Sequence, residues 1–264
     1  MLHHMLRDGI RLASLVSCMA LTACATTAQQ DEQSRLLALA DDIAQHGEHA
    51  TAATMYERAT EMANDTPDIH VRLGDALLAA GDLEGATEAY RDALSLDINH
   101  PEALLGLGSV QLRLGSVERA VRNLQKAAPE LDTLPAWSRL GVAQALLGHG
   151  QAAQSAFARA VSLAPKNSLD ARTNLALAQS LAGDNAKAVS GMRQVSASPL
   201  AKDRHFRNLL LVLVLADNTQ QAATINIPDM PEARRQSLIE QAQRIRDIAD
   251  PAERARMMGL NVAQ

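Results

Sequence analysis

The residues best equipped for chemistry in this 264-residue chain are two cysteines and eight histidines. Both cysteines, Cys18 and Cys24, lie near the N-terminus. From Ala25 onward the chain has no thiol, which excludes disulfides, thiolate catalysis and cysteine metal sites from that part. His46 and His49 flank Gly47-Glu48. A helical zinc motif needs its two histidines four apart with a glutamate beside the first. Here they are three apart across a helix-breaking glycine, so the pair reads as a solvated turn. His70, His100, His149 and His205 are scattered. Gly106-Leu107-Gly108 would be a fragment of a phosphate-binding loop, yet it lacks the third glycine and the preceding strand that such a loop requires. No Gly-x-Ser-x-Gly elbow or Walker-type run occurs. Lys202-Asp203-Arg204-His205-Phe206-Arg207 is the densest charge cluster; it reads as a solvated helix start, with a basic spot for an acidic partner segment as the alternative. No catalytic, cofactor-binding or metal residue is expected, and no enzyme.

Cys24 is the one thiol with a legible chemical role. Arg7 and Arg11 open a basic N-terminus, and Leu12–Leu21 form an apolar run of ten residues. Spanning a bilayer takes about 20 apolar residues, so the run is too short to stay in a membrane and has the pattern of a secretion signal. It ends in Leu21-Thr22-Ala23-Cys24, which resembles the lipobox of bacterial lipoproteins. The resemblance implies cleavage before Cys24 and acylation (palmitate) of its sulfur. Ala25 in place of aspartate favours, by the same resemblance, the outer membrane, with the protein lipid-anchored on its periplasmic face. Residues 1–23 are then the signal peptide and 24–32 a tether without apolar periodicity.

The elements that would carry any site are helical. Hydrophobic residues make up 47% of the chain and aromatic residues only 2%, and the alanine and leucine that dominate are helix formers. Gly47, Gly81, Gly115, Gly148 and Gly183 are spaced 34, 34, 33 and 35 apart. The same steps recur in Leu39, Leu73, Leu107, Leu140 and Leu175, and in Ala52, Ala86, Ala120, Ala153 and Ala188. Ala59, Ala93, Ala127, Ala160 and Val195 form a fourth column. A fixed period of this length marks stacked supersecondary units. Each unit has two apolar stripes at helical spacing, joined by a glycine that takes a left-handed conformation. Tyr56, Tyr90 and Phe157 fill the bulky site of the second helix, and Trp137 that of a first helix. Pro67, Pro101, Pro135, Pro165 and Pro199 fall at unit boundaries, where a helix start tolerates proline.

These residues resemble the tetratricopeptide (TPR) family, which implies an all-α fold, a right-handed α-solenoid of TPR helical hairpins. Five units cover 33–202 (33–66, 67–100, 101–133, 134–167 and 169–202). A degenerate sixth covers 203–227, with Phe206, Leu209 and Leu213 on its first helix, Asp217 in place of the turn glycine and no bulky residue at Asn226. Residues 228–264 supply C-terminal capping helices, with Leu238, Ala242, Ile245 and Ala249 as the apolar stripe of a helix from Glu232 to about Asp247.

In TPR proteins the first helices line a groove. By that resemblance the partner groove here comprises Leu37, Val71, Leu78, Leu105, Leu112, Val142, Leu146, Leu177, Leu181, Leu211 and Val214, accompanied by Asp41, Asp75, Ser109 and Arg113. It suits an amphipathic helix or extended peptide, although some of these residues would equally serve as interhelical core. The family's clamp for a terminal carboxylate is absent, since Leu37 and Asp41 stand at its positions. Net charge is −5, which disfavours nucleic acid; no small-molecule substrate is expected either. The lipobox followed by TPR units resembles the TadD family of Flp (tight-adherence) pilus assembly. Asn174-Leu175-Ala176-Leu177-Ala178 with Gly183-Asp184, its near-copy Phe206-Arg207-Asn208-Leu209 ending at Ala216-Asp217, and the segment near Pro228 carry that resemblance. It implies protein partners, namely a secretin or another pilus or secretion component, and a membrane contact through the lipid. The alternative is another outer-membrane TPR lipoprotein: a type IV pilus secretin pilotin, a β-barrel assembly factor or a peptidoglycan-enzyme adaptor.

Overall fold

Each hairpin begins and ends on residues suited to those places. Pro67 opens α3 (Pro67–Ala80) at its first helical position, where no backbone donor is lost. Gly81 closes α3 with φ 89°, and the next residue, Asp82, caps α4 (Leu83–Leu96) by accepting from the Gly85 N–H at 2.9 Å. Two residues thus turn the chain and satisfy both helix ends. The five turn glycines of the repeat all have φ between 72° and 89°.

A computed structural model describes residues 29–62, 64–225 and 227–260. Among them every regular element is a helix: α1 (29–45), α2 (His49–Thr60), α3, α4, α5 (Pro101–Arg113), α6 (Val117–Leu131), α7 (Leu134–Leu146), α8 (Gly150–Leu163), α9 (Leu169–Leu181), α10 (Asn185–Ser196), α11 (Asp203–Leu215), α12 (Thr219–Thr224), α13 (Glu232–Arg246) and α14 (Pro251–Met257). The chain divides into two units between Ala103 and Leu104, inside α5. In the first, α3 packs on both α2 and α4; in the second, α7 to α11 pack in sequence, each on the next.

The alanine columns are the seams between helices. Ala52, Ala86, Ala120, Ala153 and Ala188 are fully buried, as are Ala59, Ala93, Ala127 and Val195. Small side chains let the backbones approach, and a bulky residue then fills a notch. A β-carbon added at Gly74 would stand 2.7 Å from the Tyr90 ring, one at Gly108 2.7 Å from Leu124, and one at Gly141 2.9 Å from the Phe157 ring. Leu124 and Met192 hold the bulky place in the hairpins that lack an aromatic ring there, each fully buried. Trp137 and Phe206 are only half-buried. Leu39, on the first described helix, is 50% exposed, whereas its counterparts Leu107 and Leu140 are buried.

The sequence reading needs adjusting at the ends of the repeat. Helix is already in place at residue 29, four residues into the stretch read as tether. Gln33 explains the extension: it is buried, and its Nε2 donates to the Ala59 carbonyl at 2.8 Å and the Asn64 carbonyl at 3.1 Å. The degenerate hairpin is α11 followed by the short α12, and Leu209–Leu215 is helical as the register required. Asp217 takes the left-handed turn with φ 58° in place of glycine, and its carboxylate accepts from Arg246 at 3.2 Å. Asn226 lies outside the described residues. In α13 the buried stripe is Ile239, Ala242 and Ile245; Leu238 is half-buried, and Ala249 falls beyond the helix and is exposed.

Candidate partner-binding face

In the second unit the first helices α7, α9 and α11 pack on one another as well as on their hairpin partners. Helix α8 sits between α7 and α9, and α10 between α9 and α11. In this unit the first helices therefore form a continuous layer with one face turned away from α8 and α10.

Of the expected groove residues, Val71, Leu112, Val142, Leu177, Leu211 and Val214 are buried. Leu37, Leu78, Leu105, Leu146 and Leu181 are half-buried. Val142, Leu177, Leu211 and Val214 share one apolar cluster, and Leu146 and Leu181 pack against it. Leu112 belongs to a second cluster, with Leu105 against it, and Leu37 packs in the first unit with Tyr56 and Ala76. Cys24, the expected lipid acceptor, lies outside the described residues.

The polar residues expected beside the groove are engaged within the fold. The Tyr56 hydroxyl donates to Asp41 Oδ1 at 2.6 Å, and Arg72 donates to Asp41 Oδ2 at 2.9 Å. The Tyr90 hydroxyl repeats the first bond on Asp75, also at 2.6 Å. Burial, then the hydrogen bond to Asp41 and its charge, push the Tyr56 phenol far above its ordinary range. Ser109 is buried and donates to the Leu105 carbonyl at 2.7 Å.

The covering of Val142, Leu177, Leu211 and Val214 comes from the C-terminus. Helix α13 packs on α11, and α14 packs on α7 and α9. Ala255, Met258 and Leu260 join the cluster of Val142 and Leu177, at 0%, 3% and 1% exposure. Sequence reading did not single out α14. Its signal is short: Asp250 as cap, Pro251 in the first turn, and three apolar residues at uneven spacing.

Beside α14 a cavity of about 740 Å3 opens between α9 and α11 on one side and α13 with Met257–Gly259 on the other. Asn174 and Asn208, half-buried and 34 residues apart, present amide groups along its α9–α11 wall. At its rim the cluster Lys202–Arg207 is a helix start with Lys202, Asp203, Arg204 and Arg207 exposed, as the sequence suggested, but its side chains are engaged and His205 is buried. Arg204 donates through Nε and Nη2 to the two carboxylate oxygens of Asp170 at 3.0 and 2.9 Å. His205 is buried, its Nδ1 accepts the Lys202 N–H at 2.8 Å, and its Nε2 faces Asp170 at 3.2 Å. An accepting Nδ1 carries no proton, so the ring donates through Nε2. Burial alone would raise the Asp170 carboxyl, but the bonds from Arg204 and His205 and the charge of Arg204 outweigh it and hold the carboxyl below its ordinary value. Asp203 pairs with both Arg207 and Arg234. The cluster ties three helices together.

No group of three or more metal-ligating side chains and no helix long and apolar enough to cross a membrane occurs among the described residues. Residues 36–163 match the family described as Cilia and flagella-associated protein 70 middle TPR-like domain. Cellulose synthase operon protein C of Xanthomonas axonopodis pv. citri is 39% identical over 93 residues, 35% of this chain and 6% of that one. The CTR9 homolog of Arabidopsis thaliana is 29% identical over 119 residues, 44% and 11% of the two chains. The chain thus spans a small fraction of these curated relatives. Among solved structures, a tetratricopeptide repeat protein from Parabacteroides merdae superposes with TM-score 0.61 at 18% identity, covering 86% of this chain and 93% of that one. The pilF product of Pseudomonas aeruginosa gives 0.60 at 17% identity, covering 74% and 89%. YrrB, described as a TPR protein with an unusual peptide-binding site, gives 0.57 at 20% identity, covering 76% and 97%. The fold is that of TPR proteins.

Proposed function

We propose that this chain is a non-enzymatic scaffold that holds a partner polypeptide against its first-helix face, anchored to the outer membrane by acyl chains on Cys24. The observation that carries the reading is the continuous layer of α7, α9 and α11, with apolar residues in repeat register along the face turned away from α8 and α10. Such a face suits a peptide or helix bound by apolar contact. The aromatic residues do not suggest another ligand: Tyr56, Tyr90 and Phe157 are buried between helices. The lipobox Leu21-Thr22-Ala23-Cys24 supports the anchor, since two or more acyl chains hold a protein stably on a bilayer. The resemblance of the Asn174–Ala178 and Phe206–Leu209 segments to the TadD family supports a place in Flp pilus assembly, with the secretin or another pilus component as partner.

The test is affinity capture from membranes with the tagged, acylated protein, and Cys24→Ser as control. Recovery of a secretin with the first and its loss with the second is the expected result. A deletion strain whose surface pili and secretin multimers are unchanged would refute the pilus role.

A further inference from the structure

The segment Asp250–Leu260 sits where a ligand of the first-helix face would sit. Helix α14 packs on α7 and α9, and Ala255 within it, with Met258 and Leu260 just after it, joins the apolar cluster of that face. The segment satisfies much of its own polar need. The Asp250 carboxylate accepts from the Ala252 and Glu253 N–H groups at 3.1 and 3.3 Å, and the Arg254 guanidinium donates to the Ile248 carbonyl. This is how an amphipathic helix docks in a groove.

The fit is close at one point. At Gly148, the turn after α7, an added β-carbon would stand 3.0 Å from Pro251 Cβ and 3.1 Å from the Ala252 backbone nitrogen. The equivalent Gly115 and Gly183 have nothing within 4 Å. Gly148 therefore serves the turn and also leaves room for the tail.

We propose that Asp250–Leu260 is a built-in occupant of the α7–α9 face, and that a partner protein displaces it with a short helix of the same chemistry. That segment has a carboxylate cap, a proline in its first turn, a buried alanine on the helix and a buried methionine and leucine just after it. The proposal rests on reading the first-helix face as the partner site. The tail can leave without unpacking α13, because α13 is fixed to α11 through its own buried Ile239, Ala242 and Ile245. The four linking residues 247–250 reach at most about 14 Å when extended, which keeps the tail with its own chain and favours a partner helix over a second copy.

The test uses the full chain and a labelled synthetic peptide of residues 249–260. With Met258→Asp and Leu260→Asp in the chain, the peptide is expected to bind saturably and at least about tenfold tighter than to the unsubstituted chain, whose tethered tail competes at an effective concentration of the order of mM. Adding Gly148→Ala should weaken the peptide about tenfold, whereas Gly115→Ala, with the same left-handed backbone but open space, should leave it unchanged. If the doubly substituted chain unfolds, hydrogen exchange decides: amides of α14 in the Gly148→Ala chain should exchange at least about tenfold faster than in the Gly115→Ala chain. Equal exchange, equal peptide binding to the free and occupied chains, or no binding to a freed chain that keeps its helicity would overturn the proposal. A concentration-dependent dimer abolished by M258D would give the face to a second copy and overturn it too. None of these readouts involves a pilus component, so they are independent of the membrane capture.

Discussion

A single missing carbon governs packing in three of the hairpins, at Gly74, Gly108 and Gly141. Glycine inside a helix normally costs about 1 kcal/mol relative to alanine, yet Gly141 faces the flat ring of Phe157 and has no room for a β-carbon. We expect Gly141→Ala to destabilise the protein by about 1–3 kcal/mol through overpacking. A β-carbon added at Gly191 in α10 would meet nothing closer than Ala176 Cβ at 3.6 Å, so Gly191→Ala should stabilise by about 0.5–1 kcal/mol. Thermal unfolding of the two variants side by side checks both signs. Charge acts at the same scale. The Asp170 carboxyl titrates below its unfolded value, so its bonds to Arg204 and His205 contribute stability above about pH 4 that is lost as pH falls through the lower folded value. Accordingly, D170N should lower Tm at neutral pH, and its gap from wild type should close below about pH 4. A gap that is constant with pH would contradict that ion-pair role.

Element by element, legibility in the sequence followed the strength of periodic signals. The glycine and alanine columns were readable because every hairpin repeats the same close approach, and the helices fall where those columns place them. What escaped had no period. Gln33 carries no apolar signal, but its amide bridges the start of α1 to the end of α2. Gln33→Leu should cost about 0.5–1.5 kcal/mol through loss of its hydrogen bonds to the Ala59 and Asn64 carbonyls, with faster hydrogen exchange confined to the start of α1. His205 looked solvated inside a run of charges, yet burial of its ring follows from the Lys202 N–H and Asp170, partners that only the folded chain brings near. Helix α14 has seven residues and little apolar content, too few for a pattern to show against its flanks.

Across the molecule, the groove positions were legible as a register but not as a surface. Sequence periodicity places Val142, Leu177 and Val214 on first helices; it does not reveal that α13 and the segment 251–260 come back to cover them. In the second unit the repeat makes one face of α7, α9 and α11 continuous, and the proposed function requires that a partner touch the first helices. The most direct measurement places a photo-crosslinking amino acid in the cell-expressed, acylated protein, at Leu78 or Leu181 on first helices and at exposed Lys126 on α6. Adducts with a pilus or secretion polypeptide from Leu78 and Leu181, and none from Lys126, are the expected result. Adducts only from Lys126, or from all three positions alike, would contradict it.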